Sequence, residues 1–150
     1  MALHPGFPQS PYDVLLPDVR WFPAAEELRS TAYEKLLPPL VANVRDLGLV
    51  VFSACSHAGI VNVCTEVRRL FPDTPIHAVM GGLHLGGVME HLIPQTVEAL
   101  GAFDIQNIIT GHCTGWRALH ALAAAYGERV SQSAVGTSYL FDSSAPPVST

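Results

Sequence analysis

LVVFSACSHAGIVNVCTEVRRL, residues 49–70, decides the architecture. Leu49–Ser53 is a short apolar run, the pattern of a strand buried on both faces. Ala54–Gly59 is a turn of small residues that carries one histidine, His57. Ile60–Leu70 (IVNVCTEVRRL) is amphipathic at helical spacing, so residues 60–70 read as a helix. The same strand–turn–helix unit returns twice downstream. Pro75–Met80 is a strand, Gly81–Gly87 a glycine-rich turn with His84, and Met89–Leu100 a helix in which Pro94 is a kink or a first-turn residue. Asp104–Thr110 is a strand, Thr110–Gly115 a turn with His112, and Trp116–Tyr126 a helix stopped by Gly127. Ser133–Phe141 reads as a closing strand. Upstream, Leu40–Val44 and the turn-like Arg45–Gly48 make a hairpin with Leu49–Ser53. The β-α-β-α-β-α-β order predicts an α/β layered fold with a mixed, largely parallel sheet.

Composition bounds the rest. A chain of 150 residues, 49% hydrophobic and 14% charged, fits one packed domain. Net charge is −5, and Lys35 is the single lysine, so no basic patch for nucleic acid is available. The apolar runs are far short of the ~20 residues that span a bilayer. Three cysteines without a C-x-x-C pair, and a first stretch without a basic start and apolar run, predict a cytoplasmic protein with free thiols. Seven of the twelve prolines lie in residues 1–39, which read as an arm with one short helix over Ala24–Leu37. Residues 40–142 form the domain, and 143–150 read as a disordered tail.

In open α/β sheets ligands bind beyond the carboxyl ends of the strands. With the three strands parallel, His57, His84 and His112 meet at one edge, and three neutral imidazoles suit Zn²⁺, Mn²⁺ or Fe²⁺. A lone histidine after a strand is ordinarily a capping residue; three at equivalent places tip the balance to a metal site. His4, His77, His91 and His120 read as structural or solvated. A rival reading makes Ser56 the nucleophile of a small-x-nucleophile-x-small turn, with Asp104 and His112 completing a triad. Against it, Asp104 begins its strand, at the edge opposite Ser56. Cys55 and Cys113 read as small buried apolar residues rather than nucleophiles.

GLVVFSACSHAGIVNV, PIHAVMGGLHL, IPQTVEAL, GHCTGWRALHALAAAYGERV and SAVGTSYLF, spread over Leu40–Phe141, together resemble the C-terminal half of a metallo-β-lactamase-fold family of metallo-hydrolases. Its members include 7,8-dihydropterin-6-yl-methyl-4-(β-D-ribofuranosyl)aminobenzene 5′-phosphate synthase-like proteins. The resemblance implies half of an αβ/βα sandwich with metal in the groove between halves. His57 matches the ligand after the first strand of the second half, and His112 the last ligand histidine. His84 takes the place of a metal-bridging aspartate. Ser56 and Thr114 would support the ligands or touch substrate, and no residue is singled out as catalytic. Zn²⁺ is the leading ion, one or two in number, with Mn²⁺ or Fe²⁺ as alternatives. The substrate would be a small molecule, phosphorylated in some members. The family's H-x-H-x-D-H motif is absent from the sequence. The expectation is therefore a truncated metallo-hydrolase completed by a missing N-terminal half or by a second copy, or else an inactive half-domain that serves as an oligomerising or binding module.

Overall fold

Valine and isoleucine favour strands because their branched side chains pack on a pleated surface, and they dominate the five strands of the sheet. The computed structural model describes residues 39–142; the expected arm before Pro39, with its helix, and the tail 143–150 lie outside the described residues. The strands are β1 (Leu40–Val44), β2 (Gly48–Ser53), β3 (Ile76–Gly82), β4 (Asn107–Gly111) and β5 (Val130–Gln132), and they lie side by side in sequence order. β1 and β2 form the expected antiparallel hairpin, while β2, β3, β4 and β5 run parallel. Each parallel step is bridged by a helix: α1 (Ile60–Leu70), α2 (Ile93–Leu100) and α3 (Trp116–Tyr126).

Parallel crossovers are right-handed, and a sheet that advances in one direction therefore collects its helices on one face. The main core shows this. Ile60, Val63, Cys64 and Val67 of α1, Ile93 and Leu100 of α2, and Ala118 and Leu122 of α3 pack together with Val51, Val79 and Ile108 of the sheet. α1 and α3 occupy the residues expected from periodicity. The expected helix 89–100 is divided: residues 87–92 form a 3₁₀ segment, and Pro94 sits in the first turn of α2. A first-turn proline lacks only an N–H that has no helical partner, so it starts the helix rather than kinking it.

The last strand is a correction. β5 is Val130–Gln132, three residues long and ahead of the expected Ser133–Phe141. The chain then turns at Ala134–Thr137, with Gly136 at φ 88°, and places Phe141 on the second face of the sheet against Ala42, Val50 and Ala78. Of the strand-like stretch Tyr139–Phe141, Phe141 packs on the sheet rather than within it, while Leu140 is exposed. Strand β4 likewise starts at Asn107 rather than Asp104, since Asp104 adopts φ 48° after a short 3₁₀ turn.

His77 in β3 accepts a hydrogen bond at Nε2 from Asn107 Nδ2 at 3.1 Å, with Phe141 edge-on at 6.0 Å. Burial pushes its pKa below the ordinary 6.5. The unfolded chain then takes up a proton before the folded one does, so stability falls as pH drops through about 6.5 and levels off below the lowered folded value. Denaturant midpoints measured across that range should fall slightly towards low pH, and His77→Gln should remove the fall.

Candidate metal centre at the strand ends

Parallel register sets the site before any side chain is considered. Ser53 pairs with Gly81, and Gly82 with Gly111, so β2, β3 and β4 end together. The three turns that follow leave side by side. In each, one residue other than glycine is left-handed: Ser56 at φ 49°, His84 at 51° and His112 at 50°. Such conformations cost on the order of 1 kcal/mol each and collect at functional sites.

Hydrogen bonds lash the turns together. Gly82 N–H donates to Ala54 O at 3.2 Å, and Ser56 Oγ donates to Gly82 O at 2.6 Å. With its only proton so placed, Ser56 Oγ accepts from Ser53 Oγ at 2.7 Å. On the other side Gly86 N–H donates to Cys113 O at 3.3 Å. Thr114 Oγ1 accepts from Leu83 N–H at 3.1 Å and donates to Gly111 O at 2.8 Å. Both hydroxyl residues are buried. They brace the rim, rather than facing outward. Thr114→Val keeps the shape and strands the Leu83 N–H, so a loss of about 1–3 kcal/mol in chemical denaturation is expected, with Thr114→Ser restoring most of it.

Close approach of the turns depends on the Gly81–Gly82 pair. Gly81 has φ +130°, and a Cβ there would lie 1.8 Å from Ser53 O. A Cβ on Gly82 would lie 2.6 Å from Ala54 O and 2.8 Å from Cys113 Sγ.

The rim carries two sets of metal-ligating side chains. His57 and His84 stand with ring centroids 4.4 Å apart and planes tilted by 60°. His112 groups with Cys55 and Cys113, the donor atoms of all three lying within 4.8 Å of one another. Tetrahedral zinc with Zn–S near 2.3 Å needs donors about 3.8 Å apart, so this set fits a metal with modest adjustment. The three histidines expected together are thus placed as a pair and a neighbour, with His112 nearest two thiols. Among the described residues no other such group of three is present.

Cys55 and Cys113 are potential metal-ligating residues that sequence reasoning passed over. They are half-buried rather than packed in the core, whereas Cys64 is fully buried and its thiol is pushed up to about 12 by burial. Their signal was position alone, in the same turns as the histidines. Burial and the Cys113 thiol beside it push the Cys55 pKa up.

The Ser56 triad is not assembled. The Ser56 proton goes to a carbonyl, and Asp104 pairs with Arg129 at 2.8 Å before β4, while His112 follows it. A five-residue strand separates the two, roughly 15 Å. The remaining described histidines have local partners: His77 meets Asn107, His91 Nδ1 meets Val88 O at 2.8 Å, and His120 meets the Trp116 ring at 5.7 Å.

Beside His57 and His84 opens a cavity of about 420 Å³ between α1 and α2. Its wall combines Ile60, Leu83, Met89 and Leu92 with the uncharged polar groups of Asn62, Gln95 and Thr96. Lysine and arginine do not line it. No helix of the described residues is long and apolar enough to cross a membrane.

The fold is similar to one solved in the metallo-β-lactamase superfamily. The fold matches a crystal structure of a metal-dependent hydrolase of the β-lactamase superfamily with TM-score 0.63 and 28% identity, over 69% of this chain and 40% of that one. By sequence the chain is similar to 7,8-dihydropterin-6-methyl-4-(β-D-ribofuranosyl)-aminobenzene-5′-phosphate synthase of Methanocaldococcus jannaschii, 37% identical over 78 residues. That stretch is 52% of this chain and 26% of the synthase. An uncharacterized protein of the same organism is 35% identical over 74 residues, 49% of this chain and 27% of its own length. The chain thus spans about a quarter of the curated relatives it matches. No family model matches it.

Proposed function

We propose that the rim of three turns is one side of the metal centre of a metallo-hydrolase, with His57, His84 and His112 as the ligands this chain contributes. The observation that carries the reading is the convergence of the turns at the ends of parallel strands, braced by Ser56 and Thr114, with His57 against His84 and His112 in the neighbouring turn. A metal ion in such a centre acts as a Lewis acid that acidifies water and polarises a substrate oxygen. Zn²⁺ is the ion we favour, over Mn²⁺ or Fe²⁺. The residues themselves position and enclose. The left-handed turns aim the imidazoles, and the cavity beside them receives a small molecule through Asn62, Gln95 and Thr96 and its apolar wall. Since the relative's name describes a 5′-phosphate product, we extend the substrate class to phosphorylated small molecules. With no cation in the wall, the phosphate would be recognised by those uncharged donors and by the ion. Ligands from a partner, either a second copy or a chain bearing the H-x-H-x-D-H motif, complete the centre, and the free thiols support a cytoplasmic setting.

The two thiols grouped with His112 favour one second reading, a half-domain that binds metal or partner without turnover. Hydrolysis of generic phosphodiesters and lactones with added Zn²⁺, Mn²⁺ or Fe²⁺ separates the two. Metal-dependent turnover that disappears in His57→Ala and His112→Ala supports the hydrolase. Turnover unchanged in both variants removes it, and no turnover with any ion or partner leaves the binding module.

A further inference from the structure

We infer that Cys55, His112 and Cys113 form a thiolate-bearing site for a thiophilic divalent ion, Zn²⁺ before Mn²⁺ or Fe²⁺. The inference rests on the reading of the rim as metal-binding but assigns the holding atoms to sulfur. The two thiols come from turns 58 residues apart in sequence, yet they and the imidazole lie within 4.8 Å of one another. Cys113 Sγ reaches Cys55 O at 3.5 Å, which holds the two turns in register. Gly82 provides the room, because a side chain there would strike Cys113 Sγ and press on Cys55 Cα at 3.3 Å. Two sulfurs and one imidazole are a soft donor set that selects zinc over the harder ions. Three protein ligands leave the fourth tetrahedral position open. Binding converts both thiols to thiolates and releases two protons for each ion taken up. The histidines alone leave the choice of ion open; the sulfur pair makes it.

Co²⁺ added anaerobically to the full chain, purified without an affinity tag, reads the ligand atoms directly. A near-ultraviolet thiolate-to-cobalt band is expected in the parent. Cys55→Ser and Cys113→Ser should each lose it and weaken Zn²⁺ binding by at least about 100-fold, while His57→Ala and His84→Ala keep it. A cobalt spectrum with nitrogen and oxygen ligands only would overturn the sulfur site and leave the histidine centre standing. No cobalt bound at all would overturn both. A second measurement needs no variant. In the folded parent two thiols should react with a disulfide reagent, since Cys64 is fully buried, and saturating Zn²⁺ should protect both. Equal reaction rates with and without Zn²⁺ would contradict the site.

Discussion

Replacing Gly81 with alanine is expected to cost about 4 kcal/mol or more of folding stability, an exceptional loss for the addition of one methyl group. The added Cβ would stand 1.8 Å from Ser53 O, and φ +130° is a conformation that residues with a side chain rarely adopt. Neither conflict can be relieved locally. Ser53 and Gly81 are register partners at the ends of two interior strands, so moving one strand shifts the turns that both strands feed. A typical domain has about 5–15 kcal/mol in hand, so the variant should unfold at markedly lower denaturant or fail to accumulate. A midpoint within about 1 kcal/mol of the parent would mean that the close approach of β2 and β3 is not what the structure describes.

His112→Ala is expected to abolish most of the stabilisation that Zn²⁺ confers. An ion present at a hundred times its dissociation constant stabilises the folded chain by about 2.7 kcal/mol. His112 sits within reach of both cysteines and in the turn tied to that of His84. Losing supporting contacts alone weakens metal sites about 10–100-fold, so losing a ligand should weaken this one by at least the upper figure. At the same ion concentration the gain would then fall to about 0.4 kcal/mol. Thermal unfolding with and without Zn²⁺ measures it. Because His112 is exposed and left-handed, His112→Asn is the matched control: asparagine tolerates φ near +50° but does not replace the imidazole. Loss of the Zn²⁺ effect in both variants assigns it to the ligand, whereas a full effect in either would count against it.

Helices 60–70 and 116–126 were legible residue by residue, because their apolar positions repeat at helical spacing and Gly59, Gly115 and Gly127 bound three of their four ends. Strand β5 was not. Three residues are too few to establish an alternating pattern, and the aromatic stretch that follows carries strand-like composition for a different purpose, with Phe141 covering Ala42, Val50 and Ala78. The place of the site was legible for a topological reason: a histidine directly after each of three parallel strands must arrive at one edge. Its grouping was not. Whether His112 lies nearer His84 or Cys55 depends on which turn residues become left-handed and on the bonds of Thr114 and Ser56 across β2, β3 and β4. Those are contacts between segments about thirty residues apart, and local pattern carries no information about them. The same holds for the thiols. Cys64 falls within a helix and Cys55 and Cys113 within histidine-bearing turns, but only the packing shows that the two turn thiols lie together at the rim.

The central claim is that the three turns hold a metal ion. Elemental analysis of the full chain, purified without an affinity tag, puts it to the test beside His57→Ala and His112→Ala. The account predicts metal in the parent and a lower metal content in both variants while their folds persist. An equal content of the same metal in all three proteins would contradict it.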